Sequence, residues 1–126
     1  MLLYVAIGSA LGGVSRYVLG GLVQRLLDTT FPAGTLLINI SGSFLLGAIL
    51  RYAFETPTIT PEVRALLTIG FCGGYTTFST FSYETMALLR DGEWVRAGVY
   101  IAASVLLSVA GTFLGFAVAR GVITSS

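Results

Sequence analysis

The chain has 126 residues, of which 55% are hydrophobic and 10% are charged, and its net charge is +1. A soluble domain is about 25% charged, so this composition excludes an ordinary water-soluble enzyme and leaves no basic face for nucleic acid. Histidine is absent and Cys72 is the one cysteine. These counts exclude an intrachain disulfide, a Cys/His metal site and most nucleophile–base pairs.

Four apolar stretches follow one another along the chain, each close to the length of about 20 residues that crosses a bilayer. The first, residues 2–24, is interrupted only by Arg16. The other three carry no charge, and they are residues 29–50, 65–83 and 97–119. None alternates with a period of two, so we predict helices rather than barrel strands. Thr60 is a predicted N-cap, with Pro61 at the first helical position.

These stretches predict an all-α membrane protein with a single four-helix transmembrane domain over residues 1–126 and both termini on one side. The approximate helices are 2–25, 33–54, 62–89 and 94–121. Sixteen glycines predict helices that pack closely, since small residues let membrane helices approach one another. Three small-x-x-x-small pairs carry this prediction: Gly8/Gly12, Gly70/Gly74 and Gly111/Gly115.

The third stretch contains two adjacent glycines, Gly73 and Gly74, followed by β-branched and hydroxyl residues. Such a sequence forms a poor helix at mid-membrane. One interpretation is a broken helix whose freed backbone binds an ion, because irregular backbone at membrane depth is tolerated when buried or lining a cavity. The other is an unbroken, glycine-rich packing helix.

Polar and aromatic side chains within the spans also allow two interpretations each. Asn39 either ties helices together or points its amide N–H donors at an anion. Phe78 and Phe81 share a helix face, and their positive ring edges either meet an anion or pack against lipid.

The fourth stretch presents hydroxyls every four residues, so they form one stripe that lines a path or ties helices together. Its members are Tyr100, Ser104, Ser108 and Thr112.

Arg16 is the only charged residue inside a long span. It either snorkels to the interface or makes an aqueous vestibule attractive to anions. No carboxylate occupies the centre of a span, whereas a proton-coupled exporter normally needs one. A passive anion path is therefore favoured. A small proton-coupled membrane exporter and a non-transporting membrane assembly subunit remain alternatives.

The arginines give no orientation, because three fall on each predicted side of the membrane. One side receives Arg51, Arg64 and Arg120, and the other receives Arg25, Arg90 and Arg96. An excess of positive charge normally marks the cytoplasmic loops. Either the chain inserts both ways and pairs with an inverted copy about a twofold axis in the membrane plane, or something else fixes a single orientation.

Over essentially its whole length the chain resembles the Fluc (CrcB) fluoride channels. The motifs that carry the resemblance are Gly12-Gly13-x-x-Arg16-Tyr17, Asn39-x-x-Gly42-Ser43-Phe44 with Gly47, and Gly70-Phe71-Cys72-Gly73-Gly74-Tyr75-Thr76-Thr77-Phe78-Ser79-Thr80-Phe81-Ser82. The last motif is highly specific, and the first two are weak alone.

The resemblance implies an antiparallel, dual-topology homodimer of four-helix subunits, each with its third helix broken near the middle. Such proteins lie in the cell membrane of microbes and let fluoride leave the cell passively, through two pores per dimer, which lowers fluoride toxicity. The implied partners are fluoride, Na⁺, membrane lipid and a second copy of the chain. No enzymatic activity, organic cofactor or nucleic acid is implied.

The resemblance also implies roles for particular residues. Those that match the family's fluoride path are Asn39, Phe78, Phe81, Thr77, Ser79, Thr80, Ser82, Tyr100, Ser104 and Ser108. Glu84 follows the polar track, and Arg16 fits the vestibule. A structural Na⁺ at the dimer centre would be held by the main-chain carbonyls of Gly73 and Thr76 from both subunits.

Overall fold

The computed structural model describes residues 1–125, and the side chains of residues 1–121. All regular structure in these residues is helical. The helices are α1 (Leu2–Leu27), α2 (Ala33–Glu55), α3 (Pro61–Ala65), α4 (Gly73–Tyr75), α5 (Phe78–Arg90) and α6 (Trp94–Ser125). Between α3 and α4, residues Leu66–Cys72 form wider π-helical turns. Residues 61–90 together are called the broken segment below.

Three continuous helices are long and apolar enough to cross a bilayer: Leu2–Leu27, Ala33–Glu55 and Trp94–Gly121. The remaining apolar stretch of the sequence falls in the broken segment, where no single helix has that length. Large apolar side chains such as Leu106 and Phe113 lie exposed on the outer faces, as expected where lipid covers the protein. The chain is a multi-pass membrane protein.

Glycines allow α2 and α6 to pack against each other along most of their length. A Cβ at Gly47 would collide with the carbonyl oxygen of Thr112, and one at Gly115 would collide with that of Phe44. The two backbones are therefore in direct contact. The close packing predicted from the glycine spacing is confirmed here.

α1 packs in the same way against the π-helical turns and α4. A Cβ at Gly8 would meet the carbonyl oxygen of Leu66, and one at Gly12 would meet that of Phe71. This contact holds the first half of the broken segment against a continuous helix.

The predicted start of the third helical region is confirmed. Thr60 is the N-cap of α3 and its hydroxyl accepts a hydrogen bond from the Val63 N–H at 3.2 Å, with Pro61 as the first helical residue. Between α5 and α6 the chain reverses at Gly92, whose φ of +77° is a conformation that favours glycine.

The break in the third helical region lies a few residues later than the glycine pair suggested. Gly73 and Gly74 are helical, and the chain becomes extended at Thr76 and Thr77, with ψ angles of 155° and 122°. A glycine pair weakens a helix but does not end it. At the break, a side chain on α2 binds the backbone, as described next.

Candidate functional site

Asn39, in the first third of α2, binds both backbone groups of Thr77 at the break. Its Oδ1 accepts from the Thr77 N–H at 2.7 Å, and its Nδ2 donates to the Thr77 carbonyl at 3.0 Å. The amide therefore replaces the helical hydrogen bond that the Thr77 N–H would make in an unbroken helix, and it gives the Thr77 carbonyl, at the N-cap of α5, an additional donor. The tie between helices is the observed use of Asn39. The Nδ2 group carries two hydrogens, so one donor remains beyond this tie.

The break redirects two N–H groups that would otherwise close α-helical bonds. The Thr77 N–H, which would bond the carbonyl of Gly73, bonds Asn39 instead. The Thr80 N–H, which would bond the carbonyl of Thr76, bonds the Thr77 hydroxyl at 3.3 Å. The carbonyls of Gly73 and Thr76 thereby lose their usual i+4 donors.

A groove of about 320 Å³ runs beside the break, between α2, α5 and α6. It is lined by hydroxyl, amide, aromatic and valine side chains: Asn39, Ser43, Thr76, Thr77, Phe78, Phe81, Ser104, Val105, Ser108 and Val109. We call it the polar groove. None of these ten lining residues is ionisable.

Two hydroxyls in the polar groove lack a hydrogen-bond partner. The Oγ atoms of Ser104 and Ser108 are buried, and neither is hydrogen-bonded to any residue that the structure describes. A buried hydroxyl without a partner costs free energy. Both hydroxyls therefore have hydrogen-bonding capacity that no residue in the described part of the chain uses.

The aromatic rings form a row that begins in the polar groove. Phe78 and Phe81 lie 5.4 Å apart between ring centroids, Phe81 and Tyr100 lie 5.1 Å apart, and Phe31 meets Tyr100 edge-to-face at 5.6 Å. Phe81 and Tyr100 are buried, whereas Phe78 is 76% exposed in the single chain. The Phe78 ring thus lies at the open side of the groove.

A second polar cleft, of about 230 Å³, adjoins the groove because Thr77 lines both. We call it the arginine cleft. Arg16 lines it and reaches the carbonyl of Gly74 through Nε at 3.4 Å. Thr80 and Glu84 lie in the same cleft, and the Tyr100 hydroxyl donates to the Glu84 carboxylate at 3.0 Å.

The structure therefore brings most of the predicted path residues into two adjoining clefts. Asn39, Thr77, Phe78, Phe81, Ser104 and Ser108 line the polar groove, and Arg16 and Thr80 line the arginine cleft. Tyr100 lines neither but contacts Phe81 and Glu84. Ser79 and Ser82 are exposed and line neither cleft.

Among the lining residues that were given no path role from the sequence, two are hydroxyl residues on α2. Ser43 follows Asn39 by four residues, so its place on the same face of α2 could have been predicted from helical spacing. Thr35 lies in the arginine cleft. It precedes Asn39 by four residues, and the same spacing signals it.

Comparison with known proteins shows the family to which the chain belongs. Residues 3–116 match the family model described as "CrcB-like protein, Camphor Resistance (CrcB)". A protein of Geobacter metallireducens named "Fluoride-specific ion channel FluC" is 50% identical over 92% of this chain and 94% of its own length. Proteins of the same name from Geobacter sulfurreducens and Thermococcus gammatolerans are 49% and 46% identical, each over at least 94% of both chains. The chain therefore belongs to the CrcB family of membrane proteins, whose curated relatives occur in bacteria and archaea.

Proposed function

We propose that the chain is a passive fluoride channel and that the polar groove is part of its conduction path. The choice of ion is supported by the name of the relatives, which are fluoride-specific ion channels. The observation that carries the path is the convergence of Asn39, Ser104 and Ser108 with two phenylalanine rings in one groove. No enzymatic activity is proposed.

The groove supplies what a small, strongly hydrated anion needs when it leaves water. The second amide hydrogen of Asn39 and the free hydroxyls of Ser104 and Ser108 are hydrogen-bond donors. The edges of Phe78 and Phe81 add weakly positive surface. These groups replace hydration one after another as the ion moves along the groove.

The arginine cleft extends the path towards one surface of the membrane. Thr77 lines both clefts, so an ion leaving the groove passes its side chain. The guanidinium of Arg16 raises the local concentration of anions, as a positive charge within low-dielectric walls does. Thr80 supplies a further hydroxyl.

A passive path is favoured over proton coupling because the polar groove has no ionisable lining residue. Proton-coupled transporters move protons through carboxylates or histidines within the membrane. Glu84 lies beyond the groove in the arginine cleft, where Tyr100 donates to it.

The functional unit is proposed to be an antiparallel, dual-topology homodimer with two pores. In the single chain the groove is open on one side and Phe78 is 76% exposed. A second copy in the opposite orientation would close it. The even division of the arginines between the two faces suits insertion in both orientations.

A structural Na⁺ at the centre of this dimer is also proposed, held by the carbonyls of Gly73 and Thr76 from both copies. The donor set fits, because hard cations prefer oxygen ligands and the usual helical donors to both carbonyls bond elsewhere. When bound, the cation would supply positive charge that offsets the cost of bringing anions into the protein.

The sodium proposal predicts that dimer stability depends on Na⁺. Thermal unfolding of the purified dimer should shift to lower temperature when Na⁺ is replaced by N-methyl-D-glucamine, since a ligand of the folded state stabilises it by mass action. Unchanged unfolding, with no Na⁺ retained by the dialysed protein, would contradict this proposal.

Efflux from liposomes tests the proposed function. Purified protein is reconstituted in vesicles loaded with fluoride or with chloride, valinomycin and K⁺ fix the voltage, and ion-selective electrodes record the loss. We expect rapid loss of fluoride with chloride retained. Absence of both fluxes from folded protein would overturn the channel and favour an assembly subunit.

A further inference from the structure

Gln24, near the end of α1, uses its whole side-chain amide in hydrogen bonds to the loop between α1 and α2 and to the first turn of α2. Its Nε2 donates to the carbonyls of Thr29 and Phe31 at 2.7 and 2.8 Å. Its Oε1 accepts from the Gly34 N–H at 2.9 Å. Since a side-chain amide has two donors and one oxygen, every hydrogen of the group is used.

These bonds replace a helix cap that the sequence of α2 lacks. Pro32 occupies the N-cap position and has no side chain that could accept a bond. The first N–H groups of a helix have no partner within the helix. Gln24 satisfies one of them from a neighbouring helix and binds two carbonyls of the loop, which Arg96 also contacts through the Thr30 hydroxyl.

Phe31 lies in this loop, and its ring joins the row of aromatic side chains. Phe31 meets Tyr100 edge-to-face, and Tyr100 contacts Phe81 and donates to Glu84. Tyr100 is fully buried, so the position of its ring depends on the side chains packed around it. Displacement of Phe31 would remove one of the two ring contacts that Tyr100 makes.

Gln24 also lines the proposed conduction path itself. It lines the arginine cleft and a further cleft of about 230 Å³ that includes Thr30, Glu84 and Asp91. Gln24 thus lines both the arginine cleft and a cleft that includes the exposed residues Thr30 and Asp91.

We propose that Gln24 is a positioning residue for one end of the conduction path, acting through Phe31 and Tyr100 on Phe81 and Glu84. This inference rests on the proposed channel function. Its position in the sequence and its contact with the start of α2 would, by themselves, indicate only a structural role for Gln24. The proposal adds a role in conduction.

The first test follows Tyr100 directly and does not depend on flux. The protein is labelled with 3-fluorotyrosine, and the Tyr100 signal is assigned by its loss in Tyr100→Phe. We expect the ¹⁹F shift of Tyr100 to move in Gln24→Leu and in Phe31→Leu. It should stay unchanged in Thr60→Ala, which removes the cap of α3 in the other loop. An unmoved Tyr100 signal in Gln24→Leu would overturn the proposal.

The second test measures fluoride flux per folded protein. Gln24→Leu and Phe31→Leu should each lower flux by about fivefold or more, against a change of less than about twofold for Thr60→Ala. The double variant should be no worse than the poorer single variant, because residues acting through one chain of contacts are not additive. Wild-type flux in folded Gln24→Leu, or effects that multiply, would contradict the proposal.

A second variant covers the case in which Gln24→Leu does not fold. Gln24→Glu keeps the acceptor for the Gly34 N–H but loses both donors to the loop, and it should show the same direction of change in both tests. A wild-type chain without any fluoride flux would overturn the channel function, whereas the Tyr100 signal would still decide the positioning role.

Discussion

The α2–α6 pair and the broken segment both bury polypeptide at membrane depth, but they differ in how the backbone is hydrogen-bonded and packed. In α2 and α6 the helices are continuous, and glycine lets carbonyl oxygens of one helix approach the α-carbons of the other. In the broken segment the helix stops at Thr76 and Thr77, and the freed groups bond side chains such as Asn39.

The difference separates scaffold from site. Close glycine packing leaves no space for an ion between the backbones of α2 and α6. The break opens the polar groove and makes main-chain and hydroxyl groups available to a ligand. Substitutions of the glycines between α2 and α6 should therefore act on stability, whereas those of the residues that line the polar groove should act on flux.

The largest effect on stability is expected from Gly115→Ala. Its Cβ would collide with the Phe44 carbonyl oxygen, and because the obstacle is backbone, α2 and α6 must separate at a cost of about 3 kcal/mol. Gly98→Ala on the same helix is the matched control, since nothing lies within 4 Å of its added Cβ. The free energy of unfolding in detergent measures both, and equal effects would contradict direct backbone packing.

Asn39→Leu should affect both stability and flux. It leaves the Thr77 N–H without a partner and removes the Nδ2 donor from the Thr77 carbonyl, which costs about 2 kcal/mol, and it also removes a donor from the groove. Fluoride flux should fall below detection. Ser41→Ala is the control on the same helix, because its hydroxyl bonds the Tyr75 hydroxyl outside the groove. Normal flux in folded Asn39→Leu would remove Asn39 from the path.

Phe78→Ile and Phe81→Ile should lower flux sharply while the protein remains folded. Loss of the ring edges raises the barrier for a dehydrated anion, and each 1.36 kcal/mol on a barrier corresponds to about tenfold in rate. Phe113→Ile on the exposed face of α6 serves as the control and should keep wild-type flux. Unchanged flux in both groove variants would refute the role of the ring edges.

The smallest effect is expected from Ser104→Ala and Ser108→Ala. Neither hydroxyl has a partner in the described part of the chain, so each removal should change the free energy of unfolding by less than about 0.5 kcal/mol. Flux should nevertheless fall about threefold, since a donor is lost. Thr112→Val is the control, because its hydroxyl already bonds the Ser108 carbonyl. Loss of stability without loss of flux would indicate a structural role.

Composition and periodicity were sufficient to predict four helical regions and close packing at glycines, because apolar length and glycine spacing can be read locally along the chain. They did not predict where the third region breaks. Gly73 and Gly74 remain helical, and Thr77 is released by Asn39, which lies 38 residues earlier in the chain. A hydrogen bond between distant residues has no signature in local propensity.

The candidate site shows the same limit. Phe78 and Phe81 could be paired from their spacing, and Ser104 and Ser108 from theirs, since each pair lies on one helix. Their meeting in one groove depends on how α5 packs against α6. The three hydrogen bonds of Gln24 span 5 to 10 residues and cross a loop, so helical periodicity gave no indication of them.

The most direct test of a passive fluoride path is the reversal potential of the current through the wild-type protein in a planar bilayer. With fluoride and chloride gradients of opposite direction, the account predicts reversal at the equilibrium potential of fluoride, at the same value for pH 6 and pH 8. A reversal potential that follows chloride, or that moves with the proton gradient, would contradict it.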